Sequence, residues 1–463
     1  MRYVSTRGKA PELSFEEAML SGLATDGGLY VPAEVPAFEP REIALLHGKS
    51  YEDVAFAIMR PFVGDTFEED EFRAVINAAY AGFGHVSRAP LRQVGDGIWL
   101  LELFHGPTLA FKDFAMQLIG QMFQAVLQRR GESVTIVGAT SGDTGSAAIE
   151  AFRGLDNVEV CILFPRGKVS EVQRRQMTTP TEANVRAFAV EGTFDDCQRH
   201  LKDMFADRTF REETRLAAVN SINWARVMAQ VVYFFTSAVA LGVPDRKVSF
   251  CVPTGNFGDI YAGEIARRMG LPIERLVIAT NQNDILHRAL ASGEYRAGVV
   301  RPSISPSMDI QVSSNFERLL FDAYGRNADA VRALMDELRS GHGFRIDDAT
   351  LGRIGETFAS GRVSEDETMY RIGAVHDAAG QLVCPHTAVG LEVADRLAEP
   401  RVPMIALATA DPAKFPDAVE RATGIRPPLP IRMADLYERP ERVTQVANDL
   451  AELCRAIREG RAA

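Results

Sequence analysis

Val134-Thr135-Ile136-Val137-Gly138-Ala139-Thr140-Ser141-Gly142-Asp143-Thr144-Gly145-Ser146-Ala147-Ala148-Ile149-Glu150-Ala151 runs from a short apolar strand through a glycine-rich loop into a helix. The strand does not alternate apolar with polar residues, so both of its faces are expected to be covered. In the loop, small hydroxyl residues and glycines leave backbone N–H groups free at a helix N-terminus. That arrangement suits a carboxylate or a phosphate. An ordinary strand-to-helix turn, with Thr144 as N-cap, is the alternative reading of this loop alone. The same texture recurs further along. Residues 160–164, 187–190, 248–252, 276–280 and 404–408 are short apolar runs, separated by helical patterns such as residues 224–234. Non-alternating strands between helices predict an α/β protein with parallel sheets covered on both faces.

Before about residue 95 the texture differs. Residues 1–90 read as mostly helical. Ser14, with Glu17 three residues on, makes a capping box. Residues 29–32 read as a short strand after the turn Asp26-Gly27-Gly28, and residues 51–59 as a second helix. Residues 285–370 are more polar and read as loops and peripheral helices. The last 30 or so residues read as a charged helix.

Composition narrows the function classes. A chain of 463 residues suggests about three domains. Its 46% hydrophobic and 24% charged residues are those of a soluble globular enzyme. A net charge of -11 argues against nonspecific nucleic-acid binding, so local donors must hold any anionic ligand. The five cysteines are odd in number, widely spaced and without a CxxC pair. They predict reduced thiols in a reducing compartment rather than a disulfide framework or a zinc site. The eight histidines show no HExxH pattern, so no metal site is expected. The first residues lack the apolar core of a signal peptide, and no apolar run approaches the roughly 20 residues that cross a bilayer. A cytoplasmic protein without a membrane partner is expected.

Two further stretches carry chemistry. In Phe104-His105-Gly106-Pro107-Thr108-Leu109-Ala110-Phe111-Lys112-Asp113-Phe114, a lysine sits among large apolar residues at the start of a helix-like segment. Burial disfavours an ammonium, so such a lysine can be an amine nucleophile near neutral pH. Amines of this kind form Schiff bases with carbonyl cofactors, pyridoxal phosphate above all. Taken alone, a surface lysine burying only its stem is the commoner case. In Pro253-Thr254-Gly255-Asn256-Phe257-Gly258-Asp259 a buried strand again leads into a helix, and two glycines let the backbone approach a phosphate. This loop has neither the GK[ST] of a P-loop nor the GxGxxG of a dinucleotide site. A nucleophilic lysine, a compact phosphate cup and a second anion loop are together what pyridoxal 5'-phosphate and an amino-acid substrate require.

These residues resemble the threonine synthase family. The resemblance is carried by His105-Gly106-Pro107-Thr108 running into Phe111-Lys112-Asp113, by Thr140-Ser141-Gly142-Asp143-Thr144-Gly145 and by Gly255-Asn256-Phe257-Gly258-Asp259. It extends to residues 14–18 and 22–32, to Pro165-Arg166-Gly167-Lys168-Val169-Ser170, to Ser221-Ile222-Asn223 and to Thr409-Ala410-Asp411-Pro412-Ala413-Lys414-Phe415. It therefore covers most of the chain, and it is to the longer bacterial and fungal form. It implies the tryptophan-synthase-β-like fold. A mostly helical N-terminal domain would span residues 1–92. Residues 93–463 would form two α/β domains with the cofactor in the cleft between them.

The resemblance also implies roles. Lys112 would be the Schiff-base lysine and the catalytic residue. Gly255, Asn256, Phe257 and Gly258 would hold the cofactor phosphate, and Thr409 would meet the pyridine nitrogen. A hydroxyl there bonds the nitrogen without fully protonating it, as an aspartate would, so the electron sink is milder. Ser141, Gly142, Asp143 and Thr144 would receive the substrate carboxylate. Asp143 stands where the wider fold family has an asparagine, and an aspartate cannot donate unless protonated. Asp411 stands where the family usually has a histidine, and turn initiation is its expected role. The implied reaction converts O-phospho-L-homoserine and water into L-threonine and phosphate, the last step of threonine biosynthesis. A related lyase using the same cofactor on phospho-amino acids, and releasing a keto acid, is the alternative. The substrate is doubly anionic, so further cations are expected. Arg166, Lys168 and Arg226 are candidates, with Asn223 as a neutral partner. Solvated loop charges, and for Arg226 an exposed helix position, are the alternatives. A monomer or small homo-oligomer is expected.

Overall fold

A computed structural model of the chain describes residues 1–459. It opens with an antiparallel pair, β1 (Tyr3–Ser5) and β2 (Tyr30–Pro32), and the helices α1 (Phe15–Ser21), α2 (Pro40–Ala44), α3 (Tyr51–Val63) and α4 (Glu69–Tyr80). A hairpin of β3 (Leu91–Gly95) and β4 (Ile98–Glu102) leads to α5 (Lys112–Arg130). Then come β5 (Val134–Ala139), α6 (Asp143–Phe152), β6 (Val158–Pro165), α7 (Glu171–Thr178) and β7 (Val185–Val190). Next are α8 (Phe194–Ala206), α9 (Arg208–Thr214), β8 (Leu216–Ala217) and α10 (Trp224–Ala240). The chain continues through β9 (Val248–Pro253), α11 (Gly258–Arg268), β10 (Ile273–Thr280), α12 (Ile285–Ser292) and β11 (Glu294–Tyr295). After these follow α13 (Phe316–Ala323), α14 (Ala328–Arg339), β12 (Phe344–Arg345), α15 (Asp348–Gly355) and β13 (Phe358–Arg362). The last elements are α16 (Glu365–Ala379), α17 (Pro385–Leu397), β14 (Met404–Ala408), α18 (Pro416–Thr423), β15 (Thr444–Val446) and α19 (Leu450–Glu459).

Two sheets organise the part beyond residue 90. One has the order β13-β10-β9-β14-β4-β3 and is parallel except for β3. The other has the order β15-β7-β6-β5-β8 and is parallel throughout. The chain passes from the first sheet to the second through α5, returns through α10, and crosses again between β14 and β15. Every apolar run read from the sequence is a strand, and its lack of alternation reflects burial on both faces. In α/β sheets of this kind, ligands bind beyond the carboxyl ends of the strands. The motif loops leave from the carboxyl ends of β4, β5, β6, β9 and β14.

The N-terminal elements share a core with these sheets. Ser14 caps α1 through the capping box, its Oγ accepting from Glu17 N–H while the Glu17 carboxylate accepts from Ser14 N–H. Val54, Ile58 and Phe62 form the buried stripe of α3 at helical spacing. Trp224, opening α10, lies with its ring 6.0 Å from Tyr3 and 5.7 Å from Phe62. One continuous apolar cluster joins Tyr3 and Phe15 to Phe114, Phe234 and Phe250.

Two expectations need correction. Residues 285–370 include β13, which closes one edge of the first sheet. Its sequence Phe-Ala-Ser-Gly-Arg is too polar to read as a buried strand, because an edge strand needs less apolar cover. The tail is not one helix. β15 pairs with β7 at the edge of the second sheet, and the helix covers only Leu450–Glu459. A three-residue strand leaves no periodicity to read. Residues 460–463 of the expected helix lie outside the described residues. No helix among the described residues is long and apolar enough to cross a membrane.

Candidate active site

Lys112 is placed by a loop sewn to the segment after β14. Leu103 N–H donates to the Ala408 carbonyl at 3.0 Å, Phe111 N–H to the Thr409 carbonyl at 2.9 Å, and Asp411 N–H to the Leu109 carbonyl at 3.0 Å. Asp113 tightens the turn by accepting from the Thr108 N–H at 2.8 Å and the Thr108 hydroxyl at 2.5 Å. Lys112 thus begins α5 as a buried residue, with 8% of its surface exposed. Burial lowers its pKa, opposed by Asp143 and reinforced by the charges of Arg226 and Lys414. The commoner surface-lysine reading is therefore excluded.

The loop after β5 turns on Thr140, whose hydroxyl accepts from Gly142 N–H and Gly145 N–H, both at 2.9 Å. The N-cap of α6 is Gly142 rather than Thr144, at φ 140°, a conformation that favours glycine. Ser141 and Thr144 are half-buried at the rim. Asp143 is 4% exposed and already engaged. Its Oδ1 lies 2.8 Å from Lys414 Nζ and 3.0 Å from Gln173 Nε2, and its Oδ2 lies 3.5 Å from Lys112 Nζ and 3.4 Å from Ser307 Oγ. Burial alone would raise the Asp143 pKa, but the two ammonium groups outweigh it and hold the carboxyl well below the usual range. Asp143 is a counter-ion here, an acceptor that repels a carboxylate. The donors for an anion in this loop are its N–H groups and its hydroxyls.

The loop after β9 presents a second cradle. Ser313 Oγ donates to the Gly255 carbonyl at 2.7 Å, and Asn315 Nδ2 to the Asn256 carbonyl at 2.8 Å. Phe257, at φ 63°, is the N-cap of α11, which begins at Gly258. The first N–H groups of a helix have no partner within it and favour an anion. A Cβ on Gly255 would stand 2.5 Å from the Ser307 carbonyl oxygen. Gly255→Ala is therefore expected to displace this loop and weaken cofactor affinity about tenfold or more, read by titrating the unliganded protein with pyridoxal phosphate. Unchanged affinity would remove the loop from the phosphate site.

Arg226 sits in the first turn of α10, 4% exposed, and is one of the charges acting on Lys112. It makes one long bond to the Val219 carbonyl at 3.4 Å, and its Nε has no partner among the described residues. Burial pushes its pKa down to about 10. A buried guanidinium without a carboxylate asks for an anion. The cradle of Gly255 to Gly258 and buried Lys112 fit a phosphorylated aldehyde cofactor, and Arg226 leaves a cation for a second anion.

Thr409 is buried directly after β14. Asp411 caps the 3-10 turn Pro412–Lys414, accepting from Ala413 N–H at 2.8 Å, as its expected turn role requires. Asn223 is fully buried as the N-cap of α10, accepting from Ala225 N–H at 3.0 Å and donating to the Met19 carbonyl at 2.7 Å. Its amide ties α10 to the N-terminal helices. Arg166 and Lys168 lie exposed on the turn after β6, Arg166 paired with Glu191 at 2.9 Å. The structure does not bring either into the buried cluster.

Sequence reasoning missed four side chains that the fold gathers here: Lys414, Gln173, Ser307 and His386. Lys414 lay inside a quoted motif, but nothing marked it apart from its neighbours. His386, near the start of α17, accepts from Ser307 N–H at 3.2 Å and packs 4.8 Å from the Phe415 ring. Burial pushes its pKa down to about 4, so it stays neutral at physiological pH.

This arrangement defines a pyridoxal-phosphate-dependent α/β enzyme. The family model described as "Pyridoxal-phosphate dependent enzyme" matches residues 85–351, "Threonine synthase N terminus" matches residues 2–80, and "Threonine synthase, C-terminal" matches residues 387–457. The chain belongs to the threonine synthase family. It is 53% identical to the threonine synthase of Pseudomonas aeruginosa over 98% of this chain and 97% of that one. Among solved structures, the pyridoxal-phosphate-bound threonine synthase of Brucella melitensis is 54% identical with a TM-score of 0.98, covering 100% of both chains. The yeast enzyme is 40% identical with a TM-score of 0.94, covering 99% of this chain and 98% of its own.

Proposed function

We propose that this chain converts O-phospho-L-homoserine and water into L-threonine and phosphate, with the cofactor carried on Lys112. The observation that carries the reading is the buried Lys112 beside Asp143, between two loops that each end at a helix N-terminus. Gly255, Asn256, Phe257 and Gly258 would hold the cofactor phosphate, and Thr409 the ring nitrogen. When bound, the cofactor supplies an electron sink for carbanions next to the amino group. Lys112, with its lowered pKa, is suited to take a proton from Cα and later return it. Asp143 orients that amine as a fixed acceptor. The N–H groups of Ser141, Asp143 and Thr144, with the Ser141 and Thr144 hydroxyls, would bind the substrate carboxylate, Gly142 N–H being held by Thr140. Arg226 would meet the substrate phosphate. Lys168 and Asn223 have weaker claims, one exposed and the other committed to the fold.

We further read the enzyme as cytoplasmic, without a nucleic-acid partner, and as a monomer or small homo-oligomer. The acidic net charge supports the second point. A phosphate-release assay with O-phosphohomoserine and amino-acid analysis tests the reaction. Threonine and phosphate in equal amounts are expected. Phosphate accompanied by a keto acid would move the chain to the lyase reading.

A further inference from the structure

Lys414 is a second amine in the site, and the reaction as described leaves it without a role. It ends the 3-10 turn Pro412–Lys414 and is fully buried. Its Nζ donates to the Thr108 carbonyl at 2.8 Å and pairs with Asp143 Oδ1 at 2.8 Å. The Thr108 carbonyl and Asp143 thus pin it against the loop that delivers Lys112. Asp143 lies between the two amines, 3.5 Å from Lys112. The other charged or titratable groups facing Lys112 are Arg226, Asp259 and His386, and those facing Lys414 besides Asp143 are Asp113, held by Thr108, and Asp411, held by Ala413 N–H. Asp259 is held by the Tyr233 hydroxyl, and His386 by Ser307 N–H.

With Lys112 as an ammonium, Lys112, Asp143 and Lys414 together carry one net positive charge. When the Lys112 nitrogen loses its proton they become neutral, because Lys414 still balances Asp143. Without Lys414, the same event would strand a buried carboxylate beside a neutral amine, and stranded buried charges are strongly unfavourable. We infer that Lys414 is a positioning residue that acts through Asp143. It keeps that carboxylate paired throughout the cycle and so sets how readily the Lys112 nitrogen gives up its proton. The inference rests on Lys112 being the residue that carries the cofactor.

The test uses cofactor-loaded protein and the pH titration of its visible absorbance, which reports the proton on the Lys112 nitrogen. In Lys414→Met, Asp143 keeps the neutral donors Gln173 and Ser307 but has only that nitrogen as a paired cation, so the midpoint is expected to rise by about one pH unit or more. The acidic limb of the kcat/KM profile should rise with it. Lys414→Arg retains the charge and should restore the midpoint. The double variant Asp143→Asn/Lys414→Met removes the stranded charge and should bring the midpoint back toward that of the unsubstituted protein. An unmoved midpoint in Lys414→Met overturns the inference, and so does an equal rise in the double variant. If Lys414→Met does not fold, a double variant that folds supports the inference, because the fault then lies in the stranded charge. A double variant that fails equally overturns it. Cofactor that borohydride still fixes covalently to the Lys112→Ala protein would instead sink the assignment of Lys112, a separate failure.

Discussion

Replacing Lys112 by alanine is expected to lower threonine formation about a thousandfold or more, and to abolish covalent fixation of the cofactor to the protein by borohydride. The size of the effect follows from the absence of a substitute. The nearest other amine, Lys414, is fully buried and pinned by Asp143 and the Thr108 carbonyl. It cannot reach the position Lys112 leaves without breaking both contacts. The fold should survive, because Asp143 keeps Lys414 as its counter-ion when Lys112 is gone. Circular dichroism and the urea midpoint should therefore stay close to those of the unsubstituted chain while phosphate release collapses. A variant that retained both its rate and its borohydride-fixed cofactor would show that another group carries the cofactor.

Arg226→Met is expected to change two quantities in opposite directions. The unliganded protein should gain about 1–3 kcal/mol of stability, since a desolvated guanidinium without a carboxylate is replaced by an apolar chain of similar length. The one bond lost, to the Val219 carbonyl at 3.4 Å, is long and contributes little. KM for O-phosphohomoserine should rise about a hundredfold, because a charge-assisted contact to an anion is lost. Urea denaturation of the unliganded protein and steady-state kinetics read the two effects separately. A loss of stability with unchanged KM would make Arg226 a structural residue with no ligand to meet.

Much of this was legible along the chain because the signals are local. A buried parallel strand writes itself as an unbroken apolar run, as at residues 160–164 and 404–408. A loop that meets an anion at a helix N-terminus needs glycines and small residues at fixed spacing, as in Gly138 to Gly145 and Gly255 to Gly258. The capping box of Ser14 and Glu17 satisfies groups three residues apart. Arg226 was legible as a charge, but its burial was not. Its helix is apolar on nearly every side, and only the packing of α3, α5 and α11 around α10 buries that position.

The sequence by itself therefore determined the α/β class, the strand set, the two anion loops and Lys112 as the distinctive amine, since each rests on residues close in the chain. The tertiary structure alone decided which charges share the site. Lys112, Asp143 and Lys414 span some three hundred residues, and they meet because the carboxyl ends of β4, β5 and β14 converge. The same folding made Asp143 a counter-ion rather than a free ligand group, tied Asn223 to Met19, and left Arg166 and Lys168 at the surface. The physical reason is that desolvation and Coulomb energy depend on distance and burial, and neither quantity is written in the order of residues.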